Sequence, residues 1–249
     1  MLLLIDAGNT RIKWAVAEAG AALGQWRASG AAAHVDPHVD PHAELDTLAA
    51  DWRAHRVTQV IIANVAGAAL RARLLPLLPP VPVSWFASQA QLGGLRNGYR
   101  DPGQLGCDRF AAAIGARALA PGKALVVATC GTATTIDALS ADGVFIGGMI
   151  APGLALMAAS LAHNTAQLPQ VAPQDGQLAR FADNTADAIV AGCLSAQAGA
   201  IERACALHGA DECIISGGAA RFIAPVLALP HRQVDNIVLV GLHASATPP

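Results

Sequence analysis

The sequence predicts an α/β protein built as two similar halves. Three observations predict it. A strand, glycine turn and strand open the chain, with an apolar run at 2–5, the turn Asp6-Ala7-Gly8-Asn9-Thr10 and an alternating segment at 11–17. The same arrangement recurs half a chain later, with a strand at 124–128, the turn Thr129-Cys130-Gly131-Thr132 and a strand at 133–137. Each hairpin is followed by mixed helical and strand patterns, and a late strand at 213–216 runs into Gly217-Gly218 before a helix.

Composition narrows the class. The 249 residues are 53% hydrophobic and 14% charged, with a formal net charge of -2, which excludes disorder and a basic nucleic-acid-binding surface. Cys107, Cys130, Cys193, Cys205 and Cys213 are odd in number and contain no C-x-x-C pair. That argues against a disulfide framework or zinc site and for a reduced, cytoplasmic setting. The opening MLLLID lacks the basic region of a signal peptide. Residues 143–162 carry no charge and reach the length of a membrane span. Gly147, Gly148, Pro152 and Gly153 break them into a strand, a turn and a helix start, so no membrane segment is expected.

The remaining elements follow in order. Residues 44–55 place Leu45, Leu48, Ala49 and Trp52 on one helical face. A strand is predicted at 57–65, a helix at 68–78 that stops at Pro79-Pro80, and a strand at 81–86. Residues 94–107 are loop-rich and 108–120 helical. After the second hairpin come a strand at 143–150, a long helix at 185–207 and a last strand at 236–240. His34, His38 and His42 with Asp36 and Asp40 look metal-like, but Pro37 and Pro41 make the run an extended, exposed loop, and no metal is assigned to it.

The turns carry the chemistry. Gly8 lets backbone approach a ligand, successive N–H groups can cradle phosphate, and Asp6 at a strand end can hold Mg²⁺ through water. An ordinary hairpin would use the same Asn-beside-Gly chemistry. The second turn crowds Thr129, Thr132, Thr134 and Thr135 around Gly131. No G-x-x-x-x-G-K-[ST] and no H-R-D set occurs, which argues against P-loop enzymes and protein kinases.

Two glycine–threonine hairpins and a later strand with Gly-Gly resemble the phosphate-1, phosphate-2 and adenosine motifs of the superfamily of acetate and sugar kinases, heat-shock chaperones and actin. Four further segments are NGYRDPGQLGCDR at 97–109, GGMIAPG at 147–153, TAQLP at 165–169 and Asn184-Thr185-Ala186. In this order, with D-x-G-N-T, they closely resemble type III pantothenate kinase, a family that includes Bvg accessory factors, from residue 2 to about 240.

That resemblance implies a duplicated ribonuclease-H-like fold of the actin-like ATPase type, two halves (1–118 and 119–249) with ATP in the cleft. It implies ATP-dependent phosphorylation of pantothenate, the entry step to coenzyme A, with Asp108 as general base. It also implies ATP contacts at Asp6, Ala7, Gly8, Asn9, Thr10, Arg11, Ile12, Lys13 and Thr132. Pantothenate contacts are implied at Tyr99, Gly106, Cys107, Asp108, Arg109 and Thr185, in a homodimer with pantothenate near the subunit interface. Arg109 could bind the substrate carboxylate or the transferring phosphoryl group. The family's second phosphate turn is usually D-x-G-T, and its Asp helps bind K⁺ or NH₄⁺. Thr129 stands there in this chain, so no monovalent cation requirement is expected. Cys107 adjoins the base, so thiol reagents are expected to inhibit. The competing readings are another small-molecule kinase of the superfamily and a non-catalytic regulator.

Overall fold

The computed structural model describes residues 1–18, 20–34, 41–174 and 181–246, without the side chains of 41–44. The chain divides into two compact units: Met1–Pro121 joined by the segment from Ile237, and Gly122–Asn236.

In the first unit β1 (Leu2–Ala7), β2 (Arg11–Ala17) and β3 (Ala28–Ala33) form an antiparallel meander. Helix α1 (Pro41–Arg53) leads to β4 (Gln59–Asn64), parallel to β1. Helix α2 (Gly67–Leu74) leads to β5 (Val83–Phe86), parallel to β4. The sheet order is β3-β2-β1-β4-β5. A small hairpin of β6 (Gln91–Leu92) and β7 (Leu95–Asn97) precedes α3 (Cys107–Leu119). Strand β1 is buried throughout. Leu3, Ile5 and Ala7 pack with Leu45, Leu48 and Trp52 of α1 and with Leu70 and Leu74 of α2. Strand alternation then turns Asp6 to the opposite face of the sheet.

The second unit repeats the plan. Strands β8 (Leu125–Cys130), β9 (Ala133–Leu139) and β10 (Val144–Pro152) are antiparallel. Helices α4 (Leu154–Asn164) and α5 (Thr185–His208) follow, then β11 (Glu212–Ser216), α6 (Ala220–Ile223) and β12 (His231–Gln233). Strand β11 is parallel to β8 and to β12, so the order within the unit is β12-β11-β8-β9-β10. Three antiparallel strands followed by two parallel ones, the first strand in the centre, is the ribonuclease-H-like arrangement, present twice. The core of this unit joins Val126, Ala128, Ile136 and Ile215 to Leu154, Ile189, Leu194 and Ile201. The uncharged stretch 143–162 is β10 and part of α4, and among the described residues no helix is long and apolar enough to cross a membrane.

The strand expected at 236–240 is instead the start of a helix, α7 (Ile237–Ala246), which packs on the first unit rather than continuing the second. Every residue from Ile237 to His243 is buried. A helix apolar all round is stable only when enclosed, and enclosure overrides the strand preference of Ile and Val. Helix α7 lies against α3 with backbone on backbone. A Cβ on Gly241 would come within 1.7 Å of the Ala111 carbonyl oxygen, and one on Gly115 within 2.7 Å of the Ile237 carbonyl oxygen. Ala111, Ala112, Ala113 and Ala116 are buried in α3 with Arg109, Phe110 and Ile114.

Replacing Gly241 by Ala is expected to cost about 3 kcal/mol, at the upper end of overpacking penalties. That lowers the melting temperature by roughly 6–12 °C for a chain of this size. Gly199→Ala on α5, where a Cβ meets nothing within 4 Å, should raise stability by about 0.5–1 kcal/mol. Equal melting temperatures for the two variants would contradict the backbone crossing.

Candidate active site

The first hairpin ends at the carboxyl end of β1, where Asp6 faces Lys13 on β2 and Ala63 on β4. Asp6 is only 9% exposed, whereas Asn9, Thr10 and Arg11 above it are exposed. Gly8 N–H donates to the Arg11 carbonyl (3.1 Å) and closes the turn. His34, just past β3, donates from Nε2 to the Gly8 carbonyl (2.7 Å) and from its backbone N–H to the Thr10 carbonyl (3.2 Å). The side chains of Ala7 and Ile12 lie in the core, so only their backbones can meet a ligand. Lys13 is half-buried. The turn therefore offers polar groups and backbone to an anion, with one carboxylate beneath it.

The second cluster starts α3. The Cys107 thiol donates to the Asn64 carbonyl (3.6 Å), and Asn64 is the β4 partner of Ala7 in β1. The amino end of α3 is thereby tied to the strand end that carries the first turn. Asp108 follows in the first helical turn, and its Oδ1 accepts the Arg109 N–H (2.8 Å). Burial raises the Asp108 carboxyl above the usual range, and the Arg109 N–H and charge only partly oppose this. Gly106 makes room for that carboxylate, because a Cβ on it would lie 2.7 Å from Asp108 Oδ1. Arg109 is 7% exposed; its Nη1 donates to the Tyr99 hydroxyl (2.8 Å), and its guanidinium lies 5.7 Å from the Tyr99 ring centre. Buried Asn97 holds this loop: Oδ1 accepts the Tyr99 N–H (3.0 Å), and Nδ2 donates to the Pro102 carbonyl (3.1 Å).

Cys107 is half-buried. Burial first, and then the charges of Asp108 and Asp6, push its thiol up to about 11. It stays protonated near neutral pH, and the thiolate is the reactive form.

The other motif residues lie in the second unit. Thr132 is exposed on the second turn, and its carbonyl accepts the Gly153 N–H (2.9 Å). Gly153 and Gly217 close on this turn. A Cβ on Gly153 would come within 2.1 Å of the Gly131 carbonyl oxygen, and one on Gly217 within 2.3 Å of that of Cys130; Gly217 also has φ +97°. Thr129, half-buried, faces Thr135 on β9 and Ser216 on β11, so its strand neighbours offer hydroxyls and no carboxylate. Thr185 is exposed at the start of α5, after the Asn184 cap, whose Oδ1 accepts the Asp187 N–H (3.0 Å). It borders an apolar groove of about 430 Å³ lined by Met157, Leu161, Leu168, Ile189 and Cys193.

Asp6–Lys13 and Tyr99–Arg109 thus sit together in one unit, and Thr129, Thr132 and Thr185 belong to the other. His34 and Asn97 complete the first site and were not singled out for it from sequence. The Asn97-Gly98 pair was the available signal for the loop; His34 was hidden in the repetitive His/Asp run. Of that run, residues 35–40 and the side chain of His42 lie outside the described residues. Among the described residues, no group of three or more His, Cys, Asp or Glu could hold a metal ion. A single buried Asp beneath a turn of exposed polar groups fits Mg²⁺, which is commonly held by one carboxylate, water and substrate phosphates.

The family model for type III pantothenate kinase matches residues 2–207. The type III pantothenate kinase of Herminiimonas arsenicoxydans is 53% identical, over 99% of this chain and 97% of that protein. That of Janthinobacterium sp. (strain Marseille) is 55% identical over the same shares. Among solved structures, a Baf-family protein from Campylobacter jejuni aligns with a TM-score of 0.63 at 20% identity, over 96% of this chain and 94% of the other. A protein from Sinorhizobium meliloti named as a 2-dehydro-3-deoxygalactonokinase aligns at 0.57 and 16%, over 99% and 97%. At such identities the structures bear on the fold alone, the duplicated ribonuclease-H-like fold of sugar kinases and actin-like ATPases. The family match and the full-length relatives go further: the chain belongs to the type III pantothenate kinase family.

Proposed function

We propose that this chain transfers the γ-phosphoryl group of ATP to the primary hydroxyl of pantothenate, with Asp108 as the base, giving ADP and 4′-phosphopantothenate for coenzyme A synthesis. The observation that carries the base assignment is the Asp108 carboxyl, raised by burial, beside the Arg109–Tyr99 pair and next to Cys107, whose thiol bonds Asn64 at the strand end by the first turn. The relatives named as this kinase over their full length make another acceptor or a purely regulatory role the poorer reading.

Phosphoryl transfer relies on positioning and charge neutralisation more than on covalent chemistry. The hydroxyl oxygen forms the new bond to phosphorus as the bond to the β-phosphate oxygen breaks. The hydroxyl proton passes to Asp108. Arg109, fixed by Tyr99, offers a cation to an anionic group of the substrates. The turn from Asp6 to Lys13, and Thr132 in the second unit, bind ATP. Asp6 would hold Mg²⁺ through water, and that ion supplies neutralisation of phosphate charge. Tyr99, Gly106, Cys107 and Thr185 contact pantothenate in a homodimer. The five free cysteines suit a reducing, cytoplasmic setting.

Asp108→Asn should lower kcat about 10²–10⁴-fold, the usual range for a lost acid–base group. Asn keeps the Arg109 N–H bond and removes a buried charge, so the melting temperature should hold or rise. Full activity in this variant would end the base assignment, and no 4′-phosphopantothenate from wild type with ATP and Mg²⁺ would end the kinase reading.

The pH profile checks the same group. Asp108 accepts a proton only when ionised, and its folded pKa is raised. Activity should therefore fall with decreasing pH along a limb lying above the ordinary carboxylate pKa of about 3.9. A limb at or below that value would contradict the buried setting.

Gly106→Ala needs no backbone change at φ -54°, ψ 132°, but it displaces the Asp108 carboxylate. Misplacement near 1 Å costs about 10²-fold in rate, so kcat should fall by that order with little change in melting temperature. An unchanged kcat would count against the geometry drawn here.

Because Thr129 and the residues directly opposite it, Thr135 and Ser216, supply no charge to a hard cation, exchange of K⁺ for Na⁺ should leave the rate within about twofold. A collapse of the rate in Na⁺ would refute this.

A further inference from the structure

We propose that His34 is a positioning residue for nucleotide phosphate, setting the direction of the Asn9 amide in the first turn. The proposal rests on the reading of that turn as the ATP phosphate site. It deepens that reading by assigning work to a residue outside the turn and outside every motif.

His34 is 9% exposed and lies just past the end of β3. It meets the turn twice. Its imidazole Nε2 donates to the Gly8 carbonyl at 2.7 Å, and its backbone N–H donates to the Thr10 carbonyl at 3.2 Å. The Gly8 oxygen is an acceptor only, so Nε2 carries the proton. Gly8 carbonyl and Asn9 N–H belong to one planar peptide unit, and no peptide in the described chain is cis. The two groups therefore point in opposite directions. With the carbonyl turned to His34, the Asn9 N–H is turned away from it, on the exposed part of the turn. An N–H so directed is the group an anion needs, and an anion is repelled by a carbonyl in the same place.

Without the imidazole this peptide is free to flip. Gly8 has no side chain to oppose a flip, and no strand ladder holds the Gly8 carbonyl, because β1 ends at Ala7 and β2 begins at Arg11. The flipped turn would present the Gly8 carbonyl where the amide had been. The backbone bond from His34 to Thr10 survives any substitution, so the turn stays attached to β3 while losing its directed amide.

Three variants and two ligands test this. His34→Gln retains a donor at the position of Nε2, His34→Phe retains bulk without a donor, and His34→Ala removes both. Affinities for ATP and for adenosine are measured by calorimetry in the absence of pantothenate, with melting temperatures alongside. We expect about tenfold weaker ATP binding for Phe and Ala, equivalent to one lost hydrogen bond of about 1.4 kcal/mol. Gln should lie within about threefold of wild type, and adenosine affinity should be the same in all four proteins. Equal losses for ATP and adenosine would overturn the proposal, as would wild-type ATP affinity in the Phe variant or failure of Gln to restore it. Because no acceptor is present, the expected pattern stands even if pantothenate turnover is absent, and that absence would sink only the choice of acceptor.

Discussion

The placement of α3 depends on a contact that no side chain makes. Gly115 and Gly241 let α3 and α7 touch backbone to backbone, and the separation is fixed by atoms that have no rotamers. Long side chains at such a crossing would lose conformational freedom and could repack, whereas glycine and alanine carry little side-chain entropy to lose. A helix seated in this way cannot slide or roll without steric overlap, because interiors are close-packed. The first turn of α3 holds Cys107, Asp108 and Arg109, so the rigidity of the crossing bears on the helix that carries them. The abundance of alanine in the chain gains a partial explanation here, since Ala111, Ala112, Ala113 and Ala116 are the buried residues around the crossing.

The second unit uses the same device at a turn instead of a helix. Gly153 and Gly217 approach the carbonyls of Gly131 and Cys130, and the Gly153 and Ala219 N–H groups bond to the Thr132 and Cys130 carbonyls. Hydrogen bonds set the direction of these peptides, and glycines permit the distance. The first turn has neither neighbour. Backbone bonds from Gly8 and His34 close and attach it, but the direction of its Gly8 carbonyl relies on the His34 side chain.

Elements with strong apolar periodicity were legible from sequence: β1, β2, β8, β9, α1, α3 and α5 lie close to their expected bounds. Strand β3 was not, because ASGAAA contains no β-branched or aromatic residue. It forms because the Trp14 indole covers Gly30, where an added Cβ would lie 2.8 Å from Nε1, and because β2 supplies a complete ladder. That is a cross-strand effect, invisible to a window read along the chain. The reverse error at 236–240 has the same origin, since local preference was read as strand and tertiary enclosure made a helix. In the site, the turn and Asp108 were readable as motifs. His34 and Asn97 were not, because their work is done through contacts to the backbone of other residues, and backbone leaves no mark in a sequence.

Four influences compete at Asp108, and their order sets the direction of its shift. Its position in the first turn of α3 favours the anion, as do the Arg109 N–H and the Arg109 charge. Burial disfavours it and wins, which leaves the carboxyl raised. Without those partners burial would raise the carboxyl further, and without the burial the same partners would lower it. The loop that carries Tyr99 settles the balance by its hold on Arg109: the hydroxyl bond keeps the guanidinium in place and partly engaged. The Arg109 charge then opposes the effect of burial on Asp108 in part. Asn97, which anchors that loop through Tyr99 N–H and the Pro102 carbonyl, thereby bears on Asp108 through Tyr99 and Arg109.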